Sequence, residues 1–318
     1  MPNFELEKIA KTLDQFQFPK KITIEVTAEC NLECAMCHYS SMRRPKGVMP
    51  FELWRRCADE IAQVSPETEC WFSGSGEPLL QPELLSQMIS YGKSVGLKAQ
   101  YLNTNGMLLT PEVADLVLDS GVDLVVFGVD GYTPVTYSAI RVGGIRDELY
   151  SNIEGFVAAR RARAFGPEIQ VQFIEMDENE HEMEDFKNYW LSKGVVVKVR
   201  RKLSWGGRIE TPATVPDEER IPCPWAITLM HVLWDGRVAR CAGDTEGEEC
   251  VGNAWHESLS ELWSRLGSYR QLQLDHRFDE VPERCRQCKD WMTGASERTS
   301  PTQGSAEIPV QPSQHREE

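Results

Sequence analysis

The chain has 318 residues, is 41% hydrophobic and carries a formal net charge of −15. That composition supports one large core, or a core with a small appended domain, and the acidic balance argues against a nucleic-acid partner, which selects a basic face. No apolar run approaches the ~20 residues of a membrane span and no apolar leader follows Met1–Thr12, so the expectation is a cytoplasmic protein with no membrane partner. In that reducing setting its ten cysteines would bind metal or do chemistry rather than form bridges.

In chain order, Lys20–Val26 reads as a first strand, and Met49–Val64 as a helix opened by Pro50. Residues 69–78, "ECWFSGSGEP", are a second strand running into a glycine-rich turn, followed by a helix over Pro82–Val95. A third strand and turn ends in "NTNG" (103–106), a helix covers Pro111–Ser120, and "VDLVVFGVDG" (122–131) is a fourth strand. "EIQVQFIEM" (168–176) and "VVVKVRR" (195–201) supply two more. Six strands separated by helical patterns imply parallel crossovers, so the fold class is α/β, with an incomplete (β/α)6 barrel over residues 1–205. No internal repeat is visible.

After the Gly-, Pro- and acid-rich linker "LSWGGRIETPATVPDEER" (203–220) the character changes. Two apolar runs joined by Asp235-Gly236 predict a hairpin, then a short helix lies at "SLSELWSRL" (258–266), and "CRQC" follows at 285–288. Residues 206–292 are expected to form a small C-terminal domain. Residues 293–318, poor in large apolar side chains, are expected to be a disordered tail.

The stretch "TAECNLECAMCH" (27–38) holds Cys30, Cys34 and Cys37 at the spacing CxxxCxxC. A disulfide can use only two of them. Three thiolates from one loop can hold three irons of a [4Fe–4S] cluster and leave the fourth open, while a zinc knuckle is the competing reading of the spacing alone. With the turns that follow, the pattern resembles the radical S-adenosylmethionine superfamily, whose CxxxCxxC loop follows the first barrel strand. Met36 replaces the aromatic residue usual before the third cysteine, keeping an apolar, polarisable contact for the adenine. "SGSGEPLL" stands where the family has GGEP, which implies that Gly76, Glu77 and Pro78 form the edge receiving the methionine amino group. The resemblance likewise puts Asn103 and Asn105 near the cofactor. Where the family often reads Ser-x-Asp-Gly this chain has Gly128-Val129-Asp130-Gly131, so a hydroxyl is missing.

Cys223, Cys241, Cys285 and Cys288 surround the hairpin and can close a metal site, as zinc or as a cluster without an open iron. Their segment resembles the auxiliary-cluster region of the SPASM and twitch subfamilies, with cysteines for one auxiliary cluster where full SPASM domains hold two. The resemblance implies two [4Fe–4S] clusters, S-adenosyl-L-methionine, and an external electron donor of the flavodoxin or ferredoxin type.

Cys57 and Cys70 sit in helical and strand patterns as small core residues. Cys250 lies in a polar loop beside the auxiliary ligands, where a thiol could donate a hydrogen atom. The four-ligand arrangement is similar to that of epimerases of the neomycin C type and of dehydrogenases of the butirosin deoxy-scyllo-inosamine type. Cys250 favours the first: inversion of an aminoglycoside carbon, after hydrogen abstraction by a deoxyadenosyl radical, by hydrogen return from the thiol. A cationic substrate would also suit an acidic enzyme. The dehydrogenase needs no donor thiol and is the alternative, followed by a peptide-modifying enzyme. Arg200, Arg208, Asp177 and Glu175 lie near strand ends as candidate substrate contacts or as ordinary ion pairs.

Overall fold

The structure is a computed structural model that describes residues 3–211, 219–292 and 296–301. Its centre is six parallel strands in sequence order: β1 (Lys21–Ile24), β2 (Glu69–Phe72), β3 (Ala99–Thr104), β4 (Leu124–Gly128), β5 (Glu168–Glu175) and β6 (Val196–Arg201). The period-two pattern separates two environments. Ile22, Ile24, Cys70, Phe72 and Leu102 are buried in the layer shared with the helices. Their neighbours Lys21, Thr23, Trp71, Asn103 and Lys198 instead line a cavity in the lumen. The result is the expected partial barrel.

The helices Phe51–Val64, Pro82–Ser94 and Pro111–Asp119 fall where the sequence puts them, with Pro50 one residue ahead of the first helical turn. Cys57 and Cys70 are core residues, 1% and 0% exposed. Three further helices, Pro134–Ile140, Arg146–Arg161 and Met183–Ser192, complete the crossovers around β5. Arg146–Arg161 and Met183–Ser192 are rich in charged residues and Pro134–Ile140 is only seven residues long, so periodicity alone does not mark them.

The C-terminal segment continues the barrel sheet. β7 (Leu229–Val232) pairs in parallel with β1, and β8 (Arg237–Ala239) returns antiparallel through the Asp235-Gly236 turn, where Gly236 has φ +87°. β9 (Cys250–Asn253) forms the outer edge. The helix Leu259–Arg265 starts at a capping box of Ser258 and Glu261. One apolar core includes residues of both halves, from Phe18 to Val281.

Part of the segment expected to be disordered is ordered. Ser296–Thr299 form β10, antiparallel to β6 at the other edge of the sheet, with Glu297 paired to Lys187 at 3.1 Å and Arg298 to Glu168 at 2.5 Å. A four-residue polar strand held by backbone bonds and surface ion pairs leaves no hydrophobic signature. Residues 302–318 lie outside the described residues. No helix among the described residues is long and apolar enough to cross a membrane.

Because β7 adds directly to β1, with Met230 fully buried opposite Ile22, the two halves should unfold together. Met230→Ala is expected to cost about 2–5 kcal/mol. A single denaturation transition, followed both by tryptophan fluorescence and by loss of iron absorbance, should shift as a whole.

Candidate cofactor and cluster site

Beyond β1 the chain enters a loop that closes on itself where Thr27 bridges Val48. The Tyr39 hydroxyl fastens its interior, accepting the Cys30 N–H at 2.9 Å and donating to the Cys30 carbonyl at 3.3 Å. The N–H groups of Glu33 and Ala35 bond the carbonyls of Val142 and Ile140. Held this way, Cys30, Cys34 and Cys37 line a cavity of about 150 Å³ together with Met36, Gly76, Glu77, Asn103 and Asn105. Pro78 is buried behind that wall, opening the short helical turn Pro78–Leu80. Burial pushes the Cys30 thiol up to about 12 and raises Cys37 as well, so iron would replace protons that these sulfurs otherwise keep.

Among the described residues, no three Cys, His, Asp or Glu side chains gather tightly enough for a single metal ion. An iron–sulfur cube is larger than one ion and takes its thiolates from around a cavity. The donor set, three thiols with no further Cys or His among the described residues that line the cavity, fits a cluster with one open iron.

The cofactor turn is fitted to this loop by close approach. A Cβ on Gly76 would lie 2.2 Å from the Thr27 carbonyl oxygen and 2.4 Å from that of Glu29. Glu77 lies behind the turn, 3% exposed. Its carboxylate accepts the N–H groups of Leu79 at 2.9 Å and Asn105 at 2.7 Å, and the Thr104 hydroxyl at 2.6 Å. Glu77 is therefore a clamp between the ends of β2 and β3, and burial still raises its pKa against those bonds. Asn105 carries the clamp onward, its amide donating to Asn31 Oδ1 at 2.8 Å. Asn103 faces both cavities directly.

Gly128 explains the missing hydroxyl. A Cβ there would be 2.3 Å from Arg141 Nη2. That guanidinium, ion-paired with fully buried Asp130, donates through Nη1 to Cys34 Sγ at 3.5 Å. The motif reading passed over Arg141 because it belongs to no motif. A buried arginine opposite an Asp at φ +63° is visible only in three dimensions.

A second, larger cavity of about 1200 Å³ opens from the first and shares Ser75, Asn103, Gln172, Arg200 and Trp205 with it. Trp205 belongs to the linker, and it bonds the Met36 carbonyl through Nε1 at 2.9 Å. The auxiliary thiols stand behind another wall, where Trp225, Ala242 and Lys289, close neighbours of Cys223, Cys241 and Cys288 in sequence, line the cavity. Burial pushes Cys223, Cys241 and Cys288 each up to about 12, and mutual repulsion adds to it: Cys285 and Cys288 act on Cys223, and Cys241 and Cys285 on Cys288. The four thiols thus share one site, with the Tyr269 hydroxyl 3.2 Å from Cys285 Sγ.

Cys250 is placed elsewhere. It opens the edge strand β9, its thiol donates to the Gly247 carbonyl at 3.2 Å, and it is absent from the lining of both cavities. Glu175, Asp177 and Arg200 line the large cavity, whereas Arg208 pairs with Glu248 at 3.3 Å.

Residues 24–189 match the family model of the radical SAM superfamily. The chain belongs to that superfamily. Residues 223–289 match the SPASM iron–sulfur cluster-binding domain, so the protein binds S-adenosylmethionine and [4Fe–4S] clusters and is a radical SAM enzyme of SPASM type. Its fold is shared with BtrN in complex with AdoMet and 2-DOIA (17% identity, TM-score 0.60, covering 86% of this chain and 94% of that one). It is also shared with Streptococcus suis SuiB bound to S-adenosylmethionine (13%, TM-score 0.66, 90% and 74%). Among curated proteins, the tungsten-containing aldehyde ferredoxin oxidoreductase cofactor-modifying protein of Pyrococcus furiosus is 31% identical over 178 residues, 55% of this chain and 49% of that protein. Mycofactocin maturase MftC of Mycobacterium tuberculosis is 26% identical over 200 residues, 61% and 48%. The chain spans about half the length of these curated relatives.

Gly76→Ala provides a test of the close approach. The added methyl must push back the backbone on either side of Ala28, so the variant should lose iron from the Cys30–Cys37 site as well as affinity for S-adenosylmethionine, while the auxiliary iron is retained. Iron analysis and low-temperature electron paramagnetic resonance of the anaerobically reconstituted protein read both sites separately.

Proposed function

We propose that the protein oxidises a substrate held in the large cavity, removing a hydrogen atom on the cofactor side and passing the remaining electron to the auxiliary side. The observation that supports this is the joined pair of cavities: three thiols line the smaller one, and the larger one that opens from it is lined by Trp225, Ala242 and Lys289, the sequence neighbours of Cys223, Cys241 and Cys288. When bound, S-adenosylmethionine and its cluster supply a carbon-centred radical, and the auxiliary cluster supplies an electron acceptor. An electron donor of the flavodoxin or ferredoxin type, in a reducing cytoplasm, completes the cycle. BtrN, whose structure holds AdoMet and 2-DOIA, has the same fold over nearly its whole length, which supports a small ligand beside the cofactor.

Oxidation of an alcohol carbon to a ketone also releases the hydroxyl proton. His231 faces the cavity from β7, its Nδ1 3.1 Å from Thr23 Oγ1. Burial, the largest influence, lowers its pKa and keeps the imidazole neutral, so it can accept that proton. Trp205 and Leu203 line both cavities and so stand where the two meet.

Epimerisation of an aminoglycoside, the expectation based on Cys250, requires that thiol to face the reacting carbon. Its bond to the Gly247 carbonyl on the edge strand gives that reading less support than oxidation has.

Anaerobic turnover of a panel of polyols, some bearing amino groups (aminocyclitols and aminoglycosides) and some bearing a carboxylate or phosphate, in deuterated water separates the two. The expected product is two hydrogens lighter than the substrate, and Cys250→Ala should make it at the parent rate. A product of inverted configuration carrying one solvent deuterium, and lost in Cys250→Ala, would establish the epimerase instead.

A further inference from the structure

We propose that the floor of the large cavity binds an anionic group of the substrate, a carboxylate or a phosphate, through Lys198 and Arg200. This deepens the reading of that cavity as the substrate chamber and rests on it. The two residues are i and i+2 on β6, so both point into the lumen, with Lys198 in register with Gln172 and Arg200 with Ile174 of β5. Gln172 lines the same wall and adds an amide donor.

Neither cation has a carboxylate partner among the described residues. Lys198 makes no hydrogen bond or ion pair among the described residues, and Arg200 donates through Nη1 only to the Arg201 carbonyl, at 3.0 Å. The acids that could neutralise them are committed. Glu69 pairs with Lys21 at 3.2 Å and Glu168 with Arg298 at 2.5 Å. Asp130 is held by Arg141 and by the Ile174 N–H at 2.6 Å. Asp290, which also lines the cavity, accepts the N–H groups of Ser204 at 2.6 Å and Gly206 at 2.9 Å.

An unneutralised pair of cations inside a cavity is costly, and an incoming anion removes that cost. Burial first, and then the neighbouring Arg200, lower the Lys198 ammonium to about 8, as expected of a cation lacking a counter-charge. Of the other carboxylates that line the cavity, Asp290 is buried and already bonded by those two N–H groups, while Glu175, Asp177, Glu178, Glu180 and Glu210 are exposed at its rim. There solvent and salt screen them within about 8 Å at physiological ionic strength, whereas charges on the floor act through a weaker dielectric. The floor therefore sets the preference for the bound group. A polycation such as an aminoglycoside would gain at the rim and be repelled at depth.

The test is calorimetric titration of the reconstituted protein, saturated with S-adenosylmethionine, against inorganic phosphate, malonate and putrescine. Phosphate or malonate should bind saturably and putrescine should not displace either. Lys198→Met and Arg200→Gln should each weaken anion binding tenfold or more, Lys198→Arg should retain it, and the exposed control Lys98→Gln should bind as the parent does. Tighter phosphate binding identifies a phosphorylated substrate, and tighter malonate binding a carboxylated one. Iron content and melting temperature show that each variant is folded. If Lys198→Met fails that check, Lys198→Gln replaces it. Unchanged affinity in folded Lys198 and Arg200 variants, or putrescine binding with neither anion bound, overturns the proposal. Because no turnover is involved, anion binding by a protein that does not oxidise its substrate still supports the site, and an oxidising enzyme that ignores both anions removes the site alone.

Discussion

The arrangement of the two thiol sites depends on one buried carboxylate. Glu25, at the end of β1 and fully buried, accepts Arg44 Nη2 at 2.5 Å and the Ser75 N–H at 3.1 Å on one oxygen, and the Trp234 N–H at 3.2 Å on the other. Those three donors come from the cysteine loop, the cofactor turn and the C-terminal hairpin. Arg44 extends the hub, donating through Nε to the Thr245 carbonyl at 2.6 Å, while Glu246 takes the N–H groups of Arg43 and Arg44. Gly74 is small because a Cβ there would press on Glu25 Cγ at 2.8 Å. Breaking such a pair by removing one partner costs about 3–5 kcal/mol, since the other charge stays buried. An apolar pair could fill the same space, but it could not offer two acceptor oxygens to three segments at fixed directions.

The same hub places His38, the residue after the third cysteine. Its Nε2 lies 3.1 Å from Ser75 Oγ, which also accepts from Arg44 Nη2 at 3.1 Å. Burial, reinforced by Arg44, holds the imidazole neutral, lowering it to about 3. His38 packs 4.9 Å from the Trp205 ring, so the linker, the cysteine loop and the cofactor turn meet at one aromatic contact. Trp205 itself has φ +51°, a left-handed conformation that costs a bulky residue energy and is retained where the surrounding structure fixes it. What composition presents as a flexible connector is thus, at its start, part of the wall between the two cavities.

Much of this was legible in the sequence because the chemistry is local. The cysteine spacing, the "GSGEP" turn, "NTNG" and the Asp235-Gly236 hairpin each lie within one short segment, and the six strands announce themselves by alternation that the lumen makes necessary. What was not legible is pairwise and remote. Glu25 reads as one more polar position in "KKITIEV", and its partner Arg44 is nineteen residues away in a basic run that looks like solvated surface. The parallel pairing of β7 with β1 spans more than two hundred residues and follows from no turn signal. Cys250 shows the converse: proximity in sequence to auxiliary ligands suggested a reactive thiol, but the hairpin's third strand carries it to the sheet edge, where its hydrogen-bond partner is a backbone carbonyl.

Gly128 shows how a departure from the family pattern becomes a statement about this chain. A serine there would bring a hydroxyl to the cofactor cavity, but its Cβ would collide with Arg141, and Arg141 cannot withdraw without leaving Asp130 buried and unpaired. The hydroxyl has been exchanged for a guanidinium that reaches further, to within 3.5 Å of Cys34 Sγ. A neutral donor fixed on one strand is thereby replaced by a positive charge resting on the Cys34 thiol, and hydrogen bonds and charge at sulfurs are among the influences that set the potential of any cluster they hold. The exchange is possible only because Asp130, at its left-handed backbone position, directs one oxygen to the arginine and the other to the Ile174 N–H at the end of β5. The electrostatics around Cys34 are in this way tied to the strand that stands beside β6 and its two lumen cations.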